Sequence, residues 1–258
     1  MSPPAQSKAP IALGTRGLSK AFGSLAVARD IAINLPVGAR YALIGPNGAG
    51  KTTLINLMTG MLAPNAGQIF LAGDDITVLG PQERVRRGLA RTFQINTLFA
   101  GLNALEAVTL AVAERRGVAG QFWRGVGSHS ETIDEAYEIL RKLKLGESCY
   151  QVTRELPYGR QRLLEIALAL ATRPKVLLLD EPAAGVPPEE SGEVFEAVAG
   201  LSDDLTLLFI EHDMHVVFRF ASHIIVLVGG AIFTEGTPAE ISADPGVREV
   251  YLGKRKHG

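Results

Sequence analysis

Gly45-Pro46-Asn47-Gly48-Ala49-Gly50-Lys51-Thr52-Thr53 lies between an apolar run, Tyr41 to Ile44, and a helical pattern from Thr53 to Met61. A G-x-x-x-x-G-K-T loop between a strand and a helix is a phosphate cradle. Its glycines let backbone N–H groups turn inward on phosphate oxygens, and the helix aims the positive end of its dipole at the same point. In that arrangement Lys51 reaches the β- and γ-phosphates, and Thr52 offers its hydroxyl to Mg²⁺. The order strand, loop, helix predicts an α/β fold built on a mostly parallel sheet and a chain that binds a nucleoside triphosphate.

Two later segments fit the same core. Val176-Leu177-Leu178-Leu179 is a continuous apolar run, as expected of a buried parallel strand, and it ends in Asp180-Glu181-Pro182. Carboxylates at that end of a strand stand where doubly wound sheets place ligands, so Asp180 suits the Mg²⁺ shell and Glu181 suits a base that takes a proton from attacking water. Leu205 to Ile210 repeats the pattern and ends in Glu211-His212-Asp213. His212 at a strand terminus suits a bond to the γ-phosphate or the orientation of the water at Glu181. His212 and His215 do not read as a metal pair, because no third ligand cluster accompanies them.

Other signals are weaker one by one. Strand patterns at Ile11 to Thr15 and Asp30 to Leu35 flank Leu18-Ser19-Lys20-Ala21-Phe22-Gly23, where Phe22 suits either base stacking or an ordinary core. Gly67 to Ala72 reads as a strand, Pro81 to Arg87 as a brief basic helix, and Leu89 to Gln94 as an apolar stretch. The Gln94 amide there is either a surface group or a ligand for Mg²⁺ or water. From Asn96 to Glu155 the pattern turns helical, with capping-box-like pairs at Asn103/Glu106 and Thr132/Glu135. Gly117 to Ser130 reads as a loop around Phe122-Trp123. Leu156-Pro157-Tyr158-Gly159-Arg160 precedes the helical run Leu163 to Ala171 and is either an ordinary helix start or a second anion site. In the latter case the two sites would meet across a dimer. His223 to Val228, Gly229-Gly230 and Ala231 to Thr234 read as an antiparallel hairpin, followed by short helices around Ala239 and Val247.

Bulk properties narrow the possibilities. In 258 residues, 26 basic and 27 acidic side chains nearly cancel, so no global field draws the chain to nucleic acid or to an anionic bilayer. The single Cys149 excludes an internal disulfide and reads as a packing residue in a reducing compartment. Residues 1–10 lack an apolar core of the signal-peptide kind and are expected to be a loose tail, as is the polar stretch 254–258. No run of about eighteen apolar residues is present, so no membrane span is expected.

Taken together and in this order, these strings resemble the ATP-binding subunits of ABC transporters over nearly the whole chain. The resemblance assigns Phe22 to adenine stacking, Gln94 to the Q-loop, and Tyr158, Gly159 and Arg160 to the signature motif. It assigns Asp180 and Glu181 to the Walker B pair and His212 to the switch. It also implies one ATPase domain over 11–253, with an antiparallel β subdomain and an inserted helical subdomain at about 96–172. Arg91-Thr92-Phe93-Gln94, Asp180-Glu181-Pro182-Ala183-Ala184-Gly185, Ile210-Glu211-His212-Asp213-Met214 and Val250-Tyr251-Leu252-Gly253 are similar to those of branched-chain amino acid importer ATPases. That kinship implies ATP with Mg²⁺ as ligands and pairing with itself or a sister ATP-binding subunit. It further implies two transmembrane permeases, a solute-binding protein acting indirectly, and a peripheral place on the cytoplasmic face of the inner membrane. Related systems import amides or carboxylates, or export lipopolysaccharide, and ABC mechanical switches form a separate class. Two departures stand out: Pro157-Tyr158 replaces the usual Ser-Gly and Arg160 the usual Gln, while Pro187 stands where Asp or Asn is common.

Overall fold

The β-branched and leucine-rich runs assemble into a six-stranded sheet. The computed structural model describes residues 10–92, 101–118 and 130–252. The sheet contains β4 (Arg40–Ile44), β7 (Leu89–Arg91), β8 (Val176–Asp180), β9 (Thr206–Ile210), β10 (His223–Val228) and β11 (Ala231–Gly236), in the order β11-β10-β4-β9-β8-β7. Every pairing from β10 to β7 is parallel, and only β10–β11 is antiparallel. Because both faces of a parallel sheet are covered, its strands need no polar alternation. Leu177, Leu179, Leu207 and Phe209 face one core while Leu178, Leu208 and Ile210 face the other. Each such leucine, once fully buried, contributes about 1.5–3 kcal/mol.

A second sheet is antiparallel: β1 (Ile11–Phe22), β2 (Leu25–Ile31), β3 (Asn34–Pro36), β5 (Ala66–Leu71) and β6 (Asp74–Asp75). Here the sequence expectation needs correction. The strand expected over Ile11 to Thr15 runs on through Leu18 to Phe22 as one twelve-residue strand, which pairs β5 and β3 mainly over its first half and β2 over its second. Positive φ at Gly17 permits the irregularity at which the strand changes partner.

Helix α1 (Lys51–Thr59) starts two residues before the expected position. Its C-terminal carbonyls are collected by α2 (Pro81–Arg86), whose fully buried Arg84 donates to Leu57 O and Met58 O at 2.8 and 2.6 Å, to Leu79 O at 2.9 Å and to Thr77 O at 2.8 Å. Helices α3 (Ala104–Arg115), α4 (Ser130–Lys142) and α5 (Tyr158–Leu170) pack on one another. The expected capping box at Asn103/Glu106 forms, with both reciprocal bonds present. The one expected at Thr132/Glu135 does not, because both residues lie inside α4. Thr132 is buried, and Glu135 instead pairs with Arg115, Arg116 and Arg173 at 2.7 to 2.8 Å. Helices α6 (Pro188–Ala199), α7 (Met214–Phe220), α8 (Pro238–Ala243) and α9 (Pro245–Leu252) complete the chain. Among the described residues no helix is long and apolar enough to cross a membrane. Cys149 is buried, as its packing role requires.

Candidate active site

Three adjacent strands, β4, β9 and β8, end at one level. Leu43 pairs with Ile210, and Ile210 with Asp180. The residues that follow those ends are therefore brought together: the loop 45–50 from β4, Glu181 from β8 and Glu211-His212 from β9. A cavity of about 350 Å³ is lined by Asn47, Lys51, Thr52, Thr53, Glu181 and His212, among others.

The loop is built to take an anion. Gly50 is the N-cap of α1, in the left-handed region at φ 102°, with no side chain capping the helix. The first N–H groups of α1 thus have no local acceptor. A Cβ on Gly50 would stand 2.6 Å from Val27 O, so the close approach of β2 also requires glycine there. Lys51 is 7% exposed and donates to Gly45 O at 2.7 Å and to Pro46 O at 3.2 Å, which folds its ammonium back over the loop. Burial lowers the Lys51 pKa, while the charges of Glu181 and Asp180 oppose that shift.

Glu181 carries the local strain. Its φ is 50°, an uncommon value for a residue with a side chain. The conformation is held by Glu181 N–H donating to Ile210 O at 3.1 Å and by Ala184 N–H donating to Glu181 O at 2.9 Å. As a result Glu181 Oε1 lies 2.8 Å from His212 Nε2, the two residues that the sequence offered as base and orienter. Asp180 is turned the other way, its Oδ2 taking an ion pair from Arg91 at 2.5 Å, while Arg91 also donates to Asn56 Oδ1 at 2.6 Å. Thr52 and Asp180 line a second cavity of about 460 Å³ together with Arg91, Arg162 and Glu165. The Thr52 hydroxyl and the Asp180 carboxylate, facing the same space as Glu181, suit a magnesium ion whose other ligands are phosphate oxygens and water. Among the described residues no group of three His, Cys, Asp or Glu is poised to enclose a metal.

The remaining sequence candidates are dispersed. Phe22 ends β1 and is exposed, not part of an ordinary core, and the Lys20 ammonium lies 5.5 Å from its ring centroid. Tyr158, Gly159 and Arg160 form the first turn of α5, where each has an intramolecular partner. Tyr158 Oη accepts from Arg162 at 2.9 Å, Gly159 N–H donates to Glu190 Oε2 at 3.3 Å, and Arg160 donates to Ser148 Oγ. Pro187 is the N-cap of α6, without a side-chain bond. Gln94 and the Phe122-Trp123 pair fall outside the described residues.

Sequence reasoning missed Arg91, Glu190 and Glu211 as parts of this region. Glu211 is only 7% exposed and accepts from Ala183 N–H at 3.3 Å and from His212 N–H at 3.2 Å. Burial pushes its pKa up, as does the nearby Glu181 charge, while the two N–H groups and His212 pull it down. Its position next to His212 at a core strand end was the available signal.

A phosphate loop, a carboxylate pair and a strand-end histidine on this sheet define a family, and the ABC transporter model matches residues 28–184. The chain belongs to the ABC transporter ATP-binding family. As an ABC ATPase it hydrolyses ATP. The model of the branched-chain amino acid ATP-binding cassette transporter matches residues 232–257. The cassette is 38% identical to the high-affinity branched-chain amino acid transport ATP-binding protein BraF of Pseudomonas aeruginosa, over 94% of this chain and 98% of that one. It is 37% identical to LivG of Escherichia coli, described in the same words, over the same shares. Among solved structures, the ADP conformation of an ATP-binding cassette of an ABC transporter superposes with a TM-score of 0.83 at 32% identity, covering 95% of this chain and 99% of that chain. A nucleotide-free ATP-binding cassette gives 0.82 at 31% identity, covering 95% and 100%.

Proposed function

We propose that this ABC ATPase powers the uptake of branched-chain and other hydrophobic amino acids, working on the cytoplasmic face of a membrane beneath two permeases that a solute-binding protein supplies. The relatives at 37–38% identity over nearly the full chain, and the match at 232–257, support the solute class. Two cassettes, this chain with itself or with a sister subunit, hold two ATP molecules between them. Each ATP rests on the loop 45–53 of one cassette and is closed over by Tyr158, Gly159 and Arg160 of the other. ATP that binds the closed pair better than the open one shifts the population toward closure, and hydrolysis reverses it. Residues 96–172 and Gln94 carry that movement to the permeases.

The observation that carries the chemistry is the 2.8 Å contact between Glu181 Oε1 and His212 Nε2 at the rim of the phosphate cavity. Glu181 takes the proton of the attacking water, whose oxygen bonds to the γ-phosphorus as the bridging oxygen leaves with ADP. His212 holds Glu181 in line and meets the γ-phosphate. Lys51 neutralises the phosphate charge. Thr52, Asp180 and Gln94 would hold Mg²⁺, which supplies further charge neutralisation on the phosphate oxygens when bound.

Glu181→Gln tests the base. It should keep ATP binding and lose steady-state hydrolysis by 100-fold or more, on the order expected for a general base; undiminished turnover would refute the assignment. The solute is tested by reconstituting the chain with its permeases and binding protein in vesicles. Labelled leucine should accumulate with ATP, whereas uptake of an amide or a carboxylate instead would redirect the reading.

A further inference from the structure

Glu181 and His212 belong to different strand-end loops, and nothing in either loop alone fixes their separation. The His212 side chain is about half exposed, and Glu181 occupies a left-handed conformation that costs about 1–2 kcal/mol for a residue with a side chain. Such a residue persists only where its surroundings over-determine it. One side chain reaches both loops. The buried Glu211 carboxylate accepts Ala183 N–H through Oε1 at 3.3 Å, two residues past Glu181, and His212 N–H through Oε2 at 3.2 Å. On the far side of the histidine, the Asp213 side chain caps α7 by accepting from His215 N–H at 2.8 Å, so the backbone at His212 is held from both directions.

We infer that Glu211 is a positioning residue for hydrolysis, clamping the turn after Glu181 to the backbone of His212 so that base and histidine meet in one geometry. This rests on the proposed roles of Glu181 and His212. The clamp also ties residues 183–187, which run from that turn to the start of α6, to the histidine. Glu211 touches no reacting atom. Its contribution is the conformational freedom removed from two loops before the nucleotide arrives, and loss of such order slows a step by up to 100-fold without weakening ground-state binding.

A double-mutant cycle tests this on the full-length chain, with Glu211→Ala, His212→Ala and the pair, reading kcat, KM for ATP and melting temperature. We expect Glu211→Ala to lower kcat on the order of 10- to 100-fold with KM within about twofold. Acting through His212, it should slow the His212→Ala protein no further than about twofold. Glu211→Gln, which retains one carbonyl acceptor, should recover part of kcat, and it carries the same cycle if the alanine variant does not fold. Penalties that multiply in the double variant overturn the inference but leave the roles of Glu181 and His212 standing. An unchanged kcat in Glu211→Ala overturns it as well. If His212→Ala alone turns over normally, the underlying assignment fails along with it.

Discussion

Arg91 and Asp180 form an ion pair at 2.5 Å across two adjacent parallel strands, so the carboxylate suited to the metal shell already faces a cation of its own chain. Both side chains are mostly buried, and a charge left there alone is costly. Arg91→Ala should destabilise the fold by about 2 kcal/mol, the scale of a lost charge-assisted bond. It should also change the Mg²⁺ concentration needed for half-maximal hydrolysis. Urea unfolding and a magnesium titration check both; an unaltered magnesium dependence would mean that the pair is only structural.

Glu190 occupies the N–H of Gly159, a donor assigned to the partner's nucleotide. Removing this acceptor with Glu190→Ala frees the donor. A neutral-to-charged bond of this length is worth about 1 kcal/mol, so ATP-driven association of the Glu181→Gln protein should need about fivefold less ATP. Light scattering against ATP concentration measures the shift.

Arg84→Met keeps the bulk of the side chain but removes the donors on which four backbone carbonyls depend. Leu57 and Met58 contribute two of them, from the last turn of the helix that carries Lys51. Leu57 O keeps the Gly60 N–H, but leaving the others without donors should cost on the order of 2–4 kcal/mol, lowering the melting temperature before any effect on catalysis is read.

Glu135 sets an acid limit on stability. Burial alone would push its pKa up, but bonds from Arg115 and Arg116 and the Arg173 charge hold it below the ordinary glutamate value. A carboxylate depressed in the folded state stabilises above its unfolded pKa, and that contribution fades as pH falls through the folded pKa. Stability of the wild type should therefore decline below about pH 4.3, the unfolded glutamate value. Glu135→Gln should be less stable at pH 7 and flatter over that acid range, as followed by denaturant midpoints.

The phosphate loop was legible in the sequence because its function needs particular residue types at fixed spacing: glycines where side chains cannot fit, then Lys51 and Thr52. Buried parallel strands were legible too, since a strand covered on both faces is apolar at every position, as from Val176 to Leu179. Phe22 and Tyr158 were found through likeness to a family, and local pattern left their settings open. The second half of the β1 strand was missed, because Gly17 looks like a turn in one dimension but serves a change of strand partner in three.

Local sequence determined which segments would be strands, which loop would hold phosphate and which acids would stand at strand ends. Only the tertiary structure decided that β4, β9 and β8 lie side by side, since strand order depends on packing between segments far apart in the chain, such as Leu43 and Ile210. From that order come the contact of Glu181 with His212 and the burial of Glu211, and from β7 beside β8 comes the pairing of Arg91 with Asp180. Each joins groups from separate strands whose approach no local periodicity encodes.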